Sequence, residues 1–216
     1  MDGSLLGPPA RRDGLGAIFA RSARPALAGL LAGPAILGLA SAAGQPLRAG
    51  TEALPWLSSL AGFGCGGWMA GRRLGLGPRR TAALAGAFVA AAVFATPAVR
   101  GLQGLTGREP LLAVAGTTLG AFGAGFALAG VLASKALRVP GPGPGRLFRC
   151  AAGGLLGGVF ALLPFGWSSL RLHVPGETWV EMTLAVSGFL GCLIVPFRIV
   201  GAALDRARDL EGVAGV

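Results

Sequence analysis

The sequence predicts an all-α polytopic membrane protein, a six-transmembrane-helix bundle arranged as three hairpins with both termini cytoplasmic. Three observations carry this: a composition poor in charge, six long gaps between ionisable residues, and Lys and Arg gathered on alternate connections. Of the 216 residues, 53% are apolar and 13% charged, with mean hydropathy +0.66. A soluble domain needs more charge than that to coat its surface. Disorder, collagen, coiled coil and disulfide scaffold are excluded by abundant Leu, Val and Phe, the lack of a three-residue Gly period, and only three Cys.

A basic tail, 1–24, opens the chain with Arg11, Arg12, Arg21 and Arg24. A cleaved signal does not fit it, because the long apolar run begins only after Arg24; Leu15 to Ala20 reads as a short interfacial helix. Arg24 and Arg48 enclose 23 uncharged residues, Glu52 and Arg72 enclose 19, and Arg80 and Arg100 another 19. Glu109 to Lys135 encloses 25 and Arg149 to Arg171 encloses 21; Glu181 to Arg198 encloses 16, lengthened to a span by starting at Thr178. About 20 residues at about 1.5 Å each cross a hydrocarbon slab. The membrane domain is therefore 25–198, with spans at about 25–44, 54–71, 82–99, 111–134, 150–169 and 178–197, and 199–216 forms a cytoplasmic tail. Trp56, Trp167 and Trp179 fall at the outer ends of spans two, five and six, as an aromatic belt would. Pro34, Pro97, Pro164 and Pro196 are tolerated inside membrane helices. Solid apolar runs argue against a transmembrane β-barrel. The stretch Val139-Pro-Gly-Pro-Gly-Pro-Gly145 reads as a stiff or flexible spacer between hairpins two and three.

Fifteen of the 19 Lys and Arg lie in the two tails, the loop between spans two and three, and the loop between spans four and five; four lie in the alternate loops. Excess Lys and Arg stays inside, which orients both termini to the cytoplasm. The formal charge of +10 thus sits on one face. Basic residues flanking apolar runs do not make a nucleic-acid surface. Arg72, Arg73, Arg79, Arg80, Arg146 and Arg149 are instead expected to contact lipid headgroups or a partner.

Small-xxx-small pairs recur: Gly62/Gly66, Gly116/Gly120 and Gly153/Gly157 with Gly154/Gly158. In lipid such grooves let backbones approach, so these residues are expected to pack the protein's own helices, or the faces of spans four and five to dock a partner subunit. A weak threefold hairpin repeat is legible in Leu60–Phe63, Leu112–Gly116 and Leu184–Gly188, each following a Gly-Glu element of an outer loop.

Catalysis is not expected. His173 is the single His, which excludes a multi-His metal or haem site; Cys65, Cys150 and Cys192 are far apart and read as small buried hydrophobes. No cofactor is expected. A possible polar site is Glu181, Thr183 and Ser187 with Arg171 and His173, the bland reading being an interfacial carboxylate near a helix N-terminus. Ser58, Ser59, Thr117 and Thr118 either line a narrow polar path or bond back to their own helices.

The expectation is a non-catalytic structural, accessory or assembly subunit of a membrane complex, with membrane lipids and a membrane protein as partners, in the cell inner (plasma) membrane. The alternatives are an organellar inner membrane, and a small-solute transporter or its substrate-binding membrane subunit. Size and span count are similar to those of the vitamin-capturing subunits of energy-coupling-factor transporters, and Ala28/Ala32 has a docking-like spacing. That spacing is common in Ala-rich chains, and no family is recognised.

Overall fold

The computed structural model describes residues 13–44, 51–103, 111–139, 143–170 and 177–214, with side chains at all of these except 52, 97–103, 111, 165–170, 177–178, 181 and 211–214. Arg171 and His173, and the side chain of Glu181, therefore lie outside the described residues. Among those described are six α-helices: α1 Leu15–Ala42, α2 Leu54–Arg73, α3 Pro78–Gln103, α4 Leu111–Leu137, α5 Pro144–Leu170 and α6 Glu177–Ala214. A 3₁₀ turn, Thr51–Ala53, leads into α2. Four helices contain stretches long and apolar enough to cross a membrane: Leu15–Ala42, Leu112–Leu137, Pro144–Pro164 and Met182–Leu210. The protein is thus all-helical with the length and hydropathy of a membrane-embedded chain. In α2 the Gly, Ser, Trp and Pro residues dilute hydropathy, and α3 opens on two arginines.

Each helix packs on its chain neighbours, and α6 packs back on α1, so the six close into a ring. Neighbours run antiparallel, which brings the start of α1, the α2–α3 turn, the α4–α5 turn and the end of α6 to one end. Toward that end the interior is filled by phenylalanine. Phe19, Phe63, Phe88, Phe122, Phe126 and Phe197, from five of the helices, are fully buried. Phe197 is the hub: it stacks on Phe88 at 4.3 Å between centroids, meets Phe126 edge-on at 5.1 Å and lies 6.2 Å from Phe63. Offset and edge-on geometries are those the ring quadrupole favours.

Both ends of the chain depart from the tails read in the sequence. Helix α1 starts at Leu15, inside the segment read as tail and interfacial helix, and α6 runs to Ala214, through the segment read as C-terminal tail. Leu15, Ile18, Phe19 and Ala23 are buried, as are Val200, Ala203, Leu204 and Ala207. The two extensions meet where Gly16 crosses Gly201. The physical reason is simple: arginine is a good helix former, so a charge marks the edge of an apolar span without ending the helix.

The turns at this end share one construction. In α2 the Leu76 amide donates to the Gly71 carbonyl at 3.0 Å and the Gly75 amide to Arg72 at 3.1 Å. In α4 the Val139 amide donates to Ser134 at 3.0 Å and the Arg138 amide to Lys135 at 3.3 Å. Both are Schellman caps, needing a left-handed residue. Gly75 supplies it at φ +66, but α4 uses Arg138 at φ 54. The spacer read over 139–145 is correspondingly shorter: Val139 is buried as part of the α4 cap, and α5 begins at Pro144, where a proline's missing amide costs nothing. Arg138→Gly is expected to raise stability by about 0.5–1 kcal/mol by relieving the left-handed strain; an unchanged or lower melting temperature would refute this.

Candidate functional site

Hydroxyls were the sequence's best hint of an internal path, and the geometry disperses them. Ser58 Oγ donates to the Pro55 carbonyl at 3.1 Å, Thr117 Oγ1 bonds back to the carbonyls of Ala113 and Val114 at 3.0 Å, and Thr183 Oγ1 donates to Trp179 at 2.8 Å. Each is satisfied within its own helix. Thr183 and Ser187 are exposed. One pair crosses between helices: the Ser59 and Thr96 hydroxyls lie 2.6 Å apart, buried, and tie α2 to α3. Ser22 is fully buried and is the orphan hydroxyl among the described residues. Ser22→Ala is expected to stabilise the protein by about 1 kcal/mol, since a buried unpaired hydroxyl is a net cost; a destabilised variant would show that the hydroxyl has a partner.

The glycines divide sharply. A Cβ built on Gly62 would come within 2.7 Å of the Gly29 Cα, one on Gly66 within 2.5 Å of the Ser22 carbonyl oxygen, and one on Gly153 within 2.9 Å of Ile199 Cγ2. One on Gly157 would lie 2.7 Å from the Cys192 carbonyl oxygen and collide with the Pro196 ring. Pro196 has no amide for that carbonyl, its partner four residues back, so Gly157 of α5 covers an acceptor that α6 leaves open. Pro164 leaves the Phe160 carbonyl open in the same way, and Gly188 of α6 packs on it. These are reciprocal proline-into-glycine contacts between α5 and α6. Gly116 and Gly120 behave otherwise: a Cβ there would meet nothing within 4 Å. They are exposed on the outside of α4, so the expectation that they pack this protein's own helices does not hold. Gly62 and Gly188 sit in contacts where the corresponding Gly116 is open, so the three repeat strings are not structurally equivalent.

Of the thiols, Cys150 and Cys192 are buried while Cys65 is exposed. Gly130 accommodates Cys150, whose Sγ would lie 2.6 Å from a Cβ there. No group of three metal-ligating residues occurs among the described residues.

A cleft of about 1040 Å³ lies where the start of α1, the end of α2 and the end of α6 meet, lined by Asp13, Arg21, Arg73, Asp205, Arg208 and Asp209 among others. The Asp205 carboxylate lies against the start of α1, beside Gly14 and near the amides of Leu15 and Gly16. Gly14 at the cap position offers no side chain, and a carboxylate of the neighbouring α6 stands at that helix start instead. Arg21 pairs with Asp13. Charges in the cleft are thus largely matched within it. The sequence grouped Arg72 with Arg73, but only Arg73 lines this cleft. Asp205, Asp13 and the phenylalanine cluster were missed; a lone Asp on an arginine-flanked apolar face was the available signal for the first.

The ring, its aromatic axis and this charged end define an all-helical protein of membrane-spanning character. Against protein-family models, curated proteins and solved structures, the chain has no match.

Proposed function

We propose that the chain is a non-catalytic integral membrane protein, an accessory or assembly subunit of a larger membrane complex, crossing the membrane six times with both termini in the cytoplasm. The filled interior is the observation that carries this reading. Six buried phenylalanines, with Phe197 beside Arg198 as their hub, fill the interior toward the charged end and leave no polar or hollow site there. The hydroxyls in the upper helices being bonded back to their own carbonyls supports the same view. The cell inner (plasma) membrane is the proposed location, with the 15-to-4 division of Lys and Arg setting the orientation.

Affinity purification in mild detergent followed by mass spectrometry tests the subunit reading: stable stoichiometric co-purifying membrane proteins are expected. A solitary monomer that gains thermal stability with a soluble metabolite would favour the substrate-binding alternative and overturn it. Orientation is tested separately by cysteine labelling between Arg72 and Arg80, which an impermeant reagent outside intact cells should not reach.

A further inference from the structure

The charged end of the ring is not uniform. No Asp or Glu occurs between Glu52 and Glu109, nor between Glu109 and Glu177, so helices α2 to α5 and the two turns joining them at this end carry no acid. Among the described residues, the acids of this end lie beside α1 or on α6, at Asp13, Asp205, Asp209 and Glu211. Because α1 and α6 are ring neighbours, three of those acids gather in the cleft with Arg21, Arg73 and Arg208. The rest of this end, an arc, carries Arg72, Arg79 and Arg80 at the α2–α3 turn, which borders the cleft through Leu74 and Gly75, and Lys135, Arg138 and Arg149 at the α4–α5 turn, five of them exposed and Arg80 half-buried. Like charges with no acid on their own helices or turns make a concentrated positive field at close range, and about 8–10 Å of screening at moderate salt keeps it local.

The arc has a second property. The first turns of α5 present Leu147 at 41% and Phe148 at 72% exposure beside exposed Arg149. A large ring standing free among arginines at the end of an apolar helix fits a bilayer interface. There an aromatic body settles at headgroup depth, and the arginine beside it reaches phosphate. An acidic soluble partner would match the charge and leave the phenylalanine without a role.

We propose that this arc, formed by the α2–α3 and α4–α5 turns, is a binding surface for anionic lipid headgroups, with Phe148 seated in the acyl boundary beside them, and that the α1–α6 corner takes no part. The proposal rests on the membrane-spanning reading and names the partner of its basic face.

The test is native mass spectrometry of the full chain in mild detergent, measuring retention of phosphatidylglycerol against phosphatidylcholine. Wild type is expected to retain the anionic lipid preferentially. Lys135→Gln with Arg138→Gln and Arg149→Gln should lower that preference by on the order of a hundredfold, at about fivefold per charge near the surface. Arg206→Gln with Arg208→Gln, which removes two charges from the compensated corner, should leave it within about twofold. Phe148→Ser, which alters no charge, should weaken retention of both lipids. Equal retention of the two lipids by wild type, or equal loss in the two arginine variants, overturns the proposal. The membrane reading fails by a different sign: a chain that stays monodisperse in buffer without detergent. Retention in detergent does not depend on which side the arc faces, so an error of orientation leaves this result intact.

Discussion

Phe197→Ala is expected to be the most damaging truncation in the chain, at about 3 kcal/mol. Phe197 is 1% exposed and touches three other buried rings, from α2, α3 and α4, while belonging to α6. Its loss opens a cavity where five helices depend on one another. In water such a truncation removes both transfer free energy and dispersion contacts. In a membrane the separated helices remain in an apolar medium, so the transfer part shrinks and the cavity and stacking parts remain. The figure is accordingly set at the lower end of the usual range for Phe→Ala. Leu112→Ala is the control, since Leu112 is 86% exposed on the outside of α4. Thermal or denaturant unfolding in mixed micelles should separate the two clearly; equal melting temperatures would mean that the aromatic axis does not hold the ring.

The helices were legible because their signal is one-dimensional. A run of some twenty residues without charge reads directly as an apolar helix, and Gly and Pro inside it do not cancel the reading when the surroundings are lipid. What was not legible depends on how helices turn about their axes. Gly116 and Gly157 sit in equally apolar, equally Gly-rich strings, and only rotation decides that one faces outward and the other covers the Cys192 carbonyl. The helices run past both span boundaries for a related reason. Arg21 and Arg24 were taken to end the apolar span, yet the opposite face of the same helix carries Leu15, Ile18 and Phe19, all buried. The candidate polar site was read from residue type alone. Thr183 proves to be back-bonded, and Ser187 is exposed on the same helix.

The same rotation argument makes the glycines the most informative positions to substitute. Gly157→Leu is expected to cost about 3 kcal/mol or more, because the added side chain meets backbone and a proline ring that cannot move aside within the α5–α6 contact. Gly116→Leu is expected to do the reverse. With nothing within 4 Å of its Cβ, the new side chain enters open space, and replacing a mid-helix glycine by a good helix former gains about 1 kcal/mol. Unfolding in one detergent, with both variants beside wild type, reads the difference. The contrast also bears on the subunit reading. Gly153, Gly154, Gly157 and Gly158 of α5 are all occupied by α4 or α6, so a partner using small-residue packing has no groove left there and would have to use the outward face of α4. In the isolated protein Gly116→Leu should therefore be harmless while co-purification of a partner falls. If instead it destabilises the isolated chain as much as Gly157→Leu does, α4 must be turned differently in the ring.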